Sequence, residues 1–585
     1  MNLKFKMEYV LQHILGGLYV LLPFICSHGE SMPGLHSVFI LFYTSVLTCV
    51  STLIFVKSFK LRVLDYVFLL SMLVPGINLL FISTESGCQD YLTWVSLLLL
   101  YVIAREIRNN HIFFYYLICA GMIQGLYALH THYYFFDSAL TLMPLSGVFS
   151  NSAILGIYIT VAFIGSFGLI VRRGNNKWSI LILMICILFL GMMIANSRSR
   201  ASWLALFSGC FFLLWKMIPS FQSKIKQYIK RKPLLILLVL VLIIGSGLAL
   251  YMYKMDSANG RLFIWFISLR LITQSPLIGS GISSFPVQYM LEQSEFFISH
   301  PNSDFSMLAG DNIHIFNEYL LIVIEQGILG LCTFSLVLYY YFKTRKNPSR
   351  LIGQAILISI LIVSFFSYPF SCLSLKILFV LLLAFGASDS PMVNKDISFS
   401  SSIRLFLLGL LFSLLLAGGH EHFVRIEANS CLSNRYNKPD SIFIYEANSF
   451  INKLSKDFDY LSALADFYLN RKNYGEALKI ITLLSEIRTS QYIYCQMGIC
   501  CIELGRKKEA EQYLLKAYNM IPSRVLPLRH LLNLYILTNQ IDNANQIANK
   551  ILASKYKVVN STVLESKNEA RQFLLKQLKM KGGEP

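Results

Sequence analysis

Two arginines, Arg198 and Arg200, lie in a short polar turn, residues 196–200, between two apolar segments of the chain. A guanidinium group beside a membrane interior costs roughly 2.5–3.5 kcal/mol on insertion scales, so we expect an anionic partner to offset that cost. The planar guanidinium donates two parallel hydrogen bonds to phosphate or diphosphate oxygens. The turn therefore predicts a diphosphate site. The alternative is a pair of arginines that reach lipid phosphates.

A long connection between apolar segments, residues 253–316, carries a second pair of arginines, Arg261 and Arg270, on either side of Trp265. Loops of more than about 15 residues are usually functional or disordered, and this one is rich in aromatic and apolar residues that suit short helices. In a helix the two arginines would be about two and a half turns apart and would not share one face. We expect Arg261, which opens the amphipathic stretch after Gly260, to be the better anion ligand. The alternative is a surface charge.

A third polar cluster lies where this connection meets the next apolar segment. If a helix starts near Asn312, His314 and Asn317 lie at positions i and i+3 on one face. A neutral imidazole is a natural general base near pH 7, and Asp311 or Glu318 would orient it. In the alternative interpretation Asp311 caps the helix, Asn317 is a packing amide and His314 is an interfacial side chain.

Other chemical motifs are weaker or absent. The sequence has no Walker motif and no HExxH motif. Asp457-Phe-Asp459 is a DxD string, but it lies in a polar helical region where a solvated helix start explains it. His300, in the long connection, is a weaker candidate base. We therefore predict that the chain has no metal site.

The elements that position these residues are predicted to be transmembrane helices. The mean hydropathy is +0.56 and only 14% of residues are charged, whereas soluble domains have about a quarter. About thirteen segments approach the length of roughly 20 residues that crosses a membrane. They are 8–25, 36–56, 63–82, 91–104, 112–130, 152–171, 178–195, 201–215, 234–252, 317–342, 352–369, 373–388 and 404–419.

Lysine and arginine alternate between the two sides of this arrangement. They fill the connections 57–62, 105–108, 172–177, 216–232 and 343–350, and they are missing from 26–35, 83–90 and 131–151. Positive loops stay in the cytoplasm, so the turn 196–200 and the connection 253–316 are predicted to face outward. The net charge of +19 is then mostly an orientation signal, and nucleic-acid binding is a poor explanation of it.

The character of the chain changes after residue 419. Residues 420–585 no longer span the membrane, and they show helix pairs with a period of about 34 residues that resemble tetratricopeptide repeats. The clearest copy has Met497, Gly498, Cys501, Gly505, Ala510, Leu514, Ala517 and Pro522 at the repeat positions. We expect a periplasmic docking domain that binds a protein partner. A generic helical-hairpin domain is the alternative.

Four motifs together resemble the O-antigen ligase superfamily, also called Wzy-C. The motifs are Ser199-Arg200-Ala-Ser-Trp-Leu-Ala205, Gly260-Arg261 with Trp265, Pro276-Leu-Ile-Gly279-Ser-Gly281 with Phe285, and Phe316-Asn317-Glu318-Tyr319-Leu320 followed by Glu325-Gln-Gly327-Ile-Leu-Gly330. The resemblance covers about residues 145–340. It implies an all-α, GT-C-like polytopic bundle of about 12–13 spans over 1–419, with an outer catalytic loop at about 253–316.

The resemblance also implies a reaction. Members transfer a glycan from undecaprenyl diphosphate to an acceptor, without metal or cofactor, at the outer face of the bacterial inner membrane. Arg200 and Arg261 match the family's diphosphate-binding arginines, with Arg198 as a helper. The family's catalytic histidine directly precedes the motif asparagine, but Phe316 stands there in this chain. His314 or Glu318 would then act as the base, with Asn317 and Asp311 positioning the acceptor.

Three activities share this resemblance. A ligase passes the glycan to lipid A-core, a polymerase extends the glycan, and a protein O-oligosaccharyltransferase passes it to serine or threonine. We expect ligase-type transfer. Alternatives of a different class are a transporter of the lipid-linked glycan and a non-catalytic assembly scaffold anchored by the membrane helices.

Overall fold

The computed structural model describes most of the chain as helix. The described residues are 3–25, 35–55, 58–83, 86–107, 110–135, 145–149, 151–172, 176–231, 252, 255–301, 303–344, 347–398, 400–435 and 439–581. They form two compact units. The first comprises Met1–Leu80, Cys88–Leu250 and Phe316–His420, and the second comprises Phe81–Gly87, Tyr251–Ile315 and Glu421–Pro585.

The helices are numbered here in chain order. The first nine are α1 (Leu3–Ile25), α2 (Leu35–Phe55), α3 (Val63–Phe81), α4 (Cys88–Ala104), α5 (His111–Phe135), α6 (Ser152–Val171), α7 (Lys177–Asn196), α8 (Arg200–Met217) and α9 (Pro219–Arg231). The next six are α10 (Met255–Ile272), α11 (Phe285–Ser299), α12 (Glu318–Phe342), α13 (Pro348–Ser364), α14 (Leu373–Ala387) and α15 (Ser401–Ser433).

The prediction of a polytopic, all-α membrane protein is confirmed. Within the described ranges, eight helices are long and apolar enough to cross a membrane: α1, α2, α3, α5, α6, α7, α12 and α15. Three shorter apolar helices, α4, α13 and α14, match further predicted spans. Helix α8 matches another, and it bends by 103° into α9. The predicted span 234–252 lies almost entirely outside the described residues.

Small residues let the helices of the first unit approach closely. A Cβ atom at Gly168 of α6 would lie 2.6 Å from Ile352 Cγ1 of α13. On the neighbouring helix α8, Ser359 Oγ of α13 donates to Ala205 O over 2.8 Å. Close backbone contact and interhelical hydrogen bonds are the main sources of helix association in lipid, where the hydrophobic effect is small. The N-terminal half of α8 is therefore held firmly against its neighbours.

A short two-stranded sheet in the first unit was not predicted. Strand β1 (Ser58–Arg62) pairs antiparallel with β2 (Met392–Ser398), with Lys60 opposite Asp396. The two strands are short and far apart in sequence, so no local sequence pattern predicts their pairing. The strands lie in connections predicted to be cytoplasmic.

The second unit joins the long connection to the C-terminal helices. The connection is mostly helical, with α10, α11 and a 3₁₀ turn at Asp304–Met307. The C-terminal helices are α16 (Asp440–Ile451), α17 (Phe458–Asn470), α18 (Tyr474–Ile487), α19 (Gln491–Glu503), α20 (Lys507–Met520), α21 (Leu526–Leu537), α22 (Ile541–Ala553) and α23 (Ser561–Lys581). Consecutive C-terminal helices pack on each other, and Ala510 and Ala517 are fully buried. The tetratricopeptide assignment itself stays a prediction.

Asp457 illustrates how the C-terminal helices are tied to α15. Its side chain caps α17, accepting a hydrogen bond from Tyr460 N at 3.0 Å. It also pairs with the buried guanidinium of Arg425. The interpretation of the DxD string as a helix start is therefore confirmed, although Asp457 is mostly buried in an ion pair rather than solvated.

Candidate functional site

The arginine turn joins two helices of the first unit. Helix α7 ends at Asn196, and α8 begins at Arg200 with Ser199 as its N-cap. Arg198 is exposed and adopts a left-handed backbone with φ of +51°. Arg200 is partly buried. A non-glycine residue in this conformation is uncommon and is often found at functional sites, because the surrounding structure must offset the strain.

Three buried serines form the floor of the turn. Ser197, Ser199 and Ser202 are nearly inaccessible to solvent. Ser202 Oγ donates to Ser199 Oγ over 2.8 Å, and Ser197 Oγ donates to Ile194 O over 2.7 Å. A Cβ atom at Gly156 of α6 would lie 2.6 Å from Ser202 Oγ and 2.7 Å from Ser197 Oγ. The turn is therefore pressed against α6 at a position that tolerates only glycine without rearrangement.

The start of α12 differs from the prediction. No helix begins near Asn312. The helix begins at Glu318, and Asn317 is its N-cap, accepting hydrogen bonds from Tyr319 N at 3.0 Å and Leu320 N at 3.1 Å. The i, i+3 helical relation proposed for His314 and Asn317 is therefore wrong. An asparagine side chain is a good acceptor for the first N–H groups of a helix. This explains why the helix starts directly after Asn317.

Glu318 is the first helical residue of α12 and is 4% exposed. Its Oε1 accepts a hydrogen bond from Phe370 N over 2.7 Å. Phe370 belongs to the short 3₁₀ turn Pro369–Ser371 that follows α13. The carboxyl group is thus oriented by a backbone donor and also lies at the positive end of the α12 dipole. This arrangement suits a positioning role as well as an acid or base.

Aromatic contacts connect the starts of α6 and α12. Phe316, directly before the N-cap Asn317, has φ of +56°. Its ring meets the Tyr368 ring edge-on at 5.1 Å. The Tyr368 hydroxyl accepts a hydrogen bond from Asn151 Nδ2. Asn151 in turn caps α6 through Ala153 N at 2.8 Å.

The N-terminal parts of three helices therefore meet in one set of contacts in the first unit. Helix α8 meets α6 through the serine floor, and α6 meets α12 through Tyr368. Each helix start carries a partial positive charge from the helix dipole, and Arg200 adds a full charge to one of them. This combination favours a bound anion.

In the second unit, Trp265 ties α10 to the end of the long connection. Its Nε1 donates to Ile315 O over 3.0 Å. Arg261 lies on the same helix and is partly buried. The prediction that Arg261 opens its helix is wrong, because α10 begins at Met255, ahead of Gly260. One helical glycine costs only about 1 kcal/mol, so Gly260 alone does not prevent the helix from starting earlier.

The other arginine of this pair is accounted for by a structural contact. Arg270 Nε lies 2.5 Å from Glu292 Oε1 of α11, and Gln274 Nε2 donates to Glu292 Oε2 over 3.0 Å. Arg270 therefore links α10 to α11.

His314 lies in the non-helical end of the connection and is partly buried. Burial, together with the positive charge of Arg488, lowers the pKa of His314 to about 4. The imidazole is consequently neutral at pH 7 and can accept a proton. Because its conjugate acid is strong, it is a weak base. The exposed alternative, His300, stacks on Phe296 with ring centres 4.7 Å apart.

Asp311 is not a helix N-cap. Its Oδ2 lies 3.2 Å from Arg524 Nη1, in the turn that follows α20. Burial raises the pKa of Asp311, although the charges of Arg524 and Arg488 act in the opposite direction. The carboxylate therefore joins the long connection to the C-terminal helices. Within the described ranges, no three His, Cys, Asp or Glu side chains are grouped as metal ligands would be.

The glycine motif at residues 276–281 has a structural explanation. Gly281 has φ of +114°, and a Cβ atom there would lie 3.0 Å from Ser83 Cα. Ser83 Oγ accepts a hydrogen bond from Ile282 N over 2.7 Å, and Ser86 Oγ donates to Ile282 O over 2.9 Å. The connection after α3 is thereby fastened to the long connection.

Several residues at these places were not singled out in the sequence. Asn151, Gly156 and Tyr368 shape the first unit, and Gln293 holds the second together. Asn151 carried one readable signal, since an asparagine just before an apolar helix is a common N-cap. The other three act through contacts distant in sequence and had no local signal.

Comparisons with known proteins agree on one region of the chain. Residues 185–335 match the family model described as O-antigen ligase (Wzy-C). A protein of Rickettsia conorii named "Putative polysaccharide ligase" is 29% identical over 223 residues, which is 37% of this chain and 51% of that protein.

Two further relatives carry the same name. One from Rickettsia felis is 29% identical over 198 residues, covering 33% of this chain and 46% of that protein. One from Rickettsia bellii is 30% identical over 195 residues, covering 32% and 46%. The chain spans about half the length of the curated relatives it matches. The part of the chain that carries the arginine turn, the long connection and the start of α12 is therefore similar to the O-antigen ligase family.

Proposed function

We propose that this protein transfers a glycan from an undecaprenyl-diphosphate carrier to an acceptor at the periplasmic face of the bacterial inner membrane. The observation that carries the proposal is the position of Arg200. It lies at the N-terminus of α8 on a floor of buried serines, inside the region that matches the O-antigen ligase model. Polyprenyl diphosphate supplies both the membrane anchor and the double negative charge that such a site favours.

In the proposed reaction the bond between the anomeric carbon of the glycan and the diphosphate oxygen breaks. A bond between that carbon and an acceptor oxygen forms, the acceptor proton goes to a base, and the diphosphate leaves with the electron pair. Arg200 and Arg261 would stabilise the charge that develops on the diphosphate, with Arg198 as a helper. No metal or cofactor is part of this proposal.

The base in this proposal is His314, with Glu318 as the alternative. A neutral imidazole whose conjugate acid has a pKa near 4 is too weak to ionise a sugar or lipid hydroxyl in advance. It would accept the proton late, once bond formation has made the hydroxyl acidic. Asn317 would fix the start of α12 and Asp311 the end of the long connection, which makes both of them positioning residues.

The proposal is tested by transfer in membrane vesicles that hold the full-length protein, a lipid-linked glycan donor and an acceptor. Arg200→Ala is expected to lower transfer by about a hundredfold or more, as loss of one preorganised charge-stabilising donor does in other enzymes. Lys216→Gln, at the opposite and exposed end of the same helix, is the matched control. Transfer at the wild-type rate by Arg200→Ala would contradict the proposal and would favour a non-catalytic assembly scaffold.

A deletion strain separates the possible acceptors. Loss of glycan on lipid A-core identifies a ligase, the expected result. Shortened glycan chains identify a polymerase, and unglycosylated proteins identify a protein O-oligosaccharyltransferase. Accumulation of the lipid-linked glycan in the cytoplasmic leaflet would instead indicate a transporter.

A further inference from the structure

Gln293 of α11 connects three segments of the second unit through one buried side chain. Its Nε2 donates to Met520 O over 2.6 Å and lies 3.3 Å from Gly310 O. Its Oε1 accepts a hydrogen bond from Tyr289 over 2.8 Å. The residue is 0% exposed. A buried amide is tolerated when both ends are paired, and removing a partner leaves a costly unpaired group.

An ion pair lies directly beside this connection. Asp311 follows Gly310 in the chain, and Arg524 lies just after Met520. Their Oδ2 and Nη1 atoms are 3.2 Å apart. The end of α20 is therefore joined to Gly310 through the Gln293 side chain, and the turn after α20 is joined to Asp311 by an ion pair.

The same stretch of connection has two further neighbours, a positive charge and a hydrogen-bond donor. The charge of Arg488, at the C-terminus of α18, acts on both Asp311 and His314. Nε1 of Trp265, in α10, donates a hydrogen bond to Ile315 O over 3.0 Å. Residues 310–315 are thus held between the C-terminal helices and the helix that carries Arg261.

We propose that Gln293, Asp311 and Arg524 are positioning residues through which the C-terminal helices set the geometry of residues 310–315 during glycan transfer. This inference rests on the proposed function. In this proposal the three side chains act by holding the segment that carries His314, and none of them needs to touch donor or acceptor. Misplacement of a reacting group by about 1 Å can cost up to a hundredfold in rate, so a contact worth little in stability can matter much for transfer.

The test compares two arginines of the same helical region in the full-length protein. Arg524→Gln removes the charge that faces Asp311. Arg529→Gln, the control, removes the charge that pairs α21 with Glu565 and Glu569 of α23. Arg524→Gln is expected to lower the transfer rate at saturating donor by about tenfold, with less than about a threefold change in the apparent KM for donor. Arg529→Gln is expected to keep the rate.

A double-mutant cycle distinguishes positioning from a simple loss of stability. Asp311→Asn combined with Arg524→Gln is expected to lose clearly less rate than the two single losses added together, at a similar unfolding midpoint, because either single change already breaks the ion pair. The inference is overturned if the Arg524 variants transfer like wild type, or if Arg524→Gln and Arg529→Gln both lose rate in proportion to their loss of Tm. Retained transfer in Arg200→Ala would instead overturn the proposed function itself.

Discussion

Gly156→Ala is the sharpest test of the arginine turn. The new Cβ would lie 2.6 Å from Ser202 Oγ and 2.7 Å from Ser197 Oγ, well inside van der Waals contact. Both hydroxyls can rotate away only by giving up their hydrogen bonds to Ser199 Oγ and Ile194 O. The turn must then either lose those bonds or move away from α6.

The expected magnitude follows from these contacts. Two lost hydrogen bonds cost about 1–3 kcal/mol together. Replacing a helical glycine by alanine stabilises a helix by about 1 kcal/mol. We therefore expect a net destabilisation of up to about 2 kcal/mol. Because the displaced residues flank Arg200, transfer should fall by more than the loss of folded protein explains.

The assay pairs thermal unfolding in detergent with transfer in vesicles. Gly165→Ala on the same helix is the control, since its Cβ would come no closer than 3.5 Å to Leu117 Cδ2. It should match or slightly exceed wild-type stability and keep transfer. If Gly156→Ala were as stable and active as Gly165→Ala, the packing of the turn on α6 would be refuted.

Three other predictions follow from the two units. Asn317→Ala should cost about 1 kcal/mol of stability through loss of the α12 cap, and Asn317→Asp should recover most of it in a denaturation series. The His314 pKa of about 4 lies below the unfolded value near 6.5, so its neutral form is favoured by folding. Stability should therefore fall as pH drops from 6.5 toward 4, and His314→Gln should flatten that slope; an unchanged slope would contradict the assigned burial. Glu318→Gln keeps an acceptor for Phe370 N, so its Tm should change little, and a large loss of transfer at unchanged Tm would identify Glu318 as the base in place of His314.

Membrane insertion was readable from the sequence because it depends on summed local hydropathy. Segments such as 152–171 and 178–195 coincide with α6 and α7 almost residue for residue. The arginine turn could be located as well, since charges at the boundary of an apolar segment are conspicuous. The short spans 91–104 and 373–388 were also found, as α4 and α14.

The start of α12 was not predictable from the local sequence. Asp311 and His314 looked like the first turn of a helix, yet the chain stays non-helical until Asn317 supplies a cap. Asp311 instead forms an ion pair with Arg524, which lies more than 200 residues later in the sequence. No window along the chain contains both groups, so their pairing could not be read from periodicity.

The sequence by itself determined the membrane character, the predicted orientation and the residue types capable of binding a diphosphate, because each depends on hydropathy, charge or side-chain chemistry. Only the tertiary structure decided that Gly156 lies against the serine floor of the arginine turn, that Tyr368 joins the starts of α6 and α12, and that residues 310 and 311 are tied to the C-terminal helices. These are contacts between residues distant in the chain, and their energies depend on atomic distances that exist only after the helices have packed.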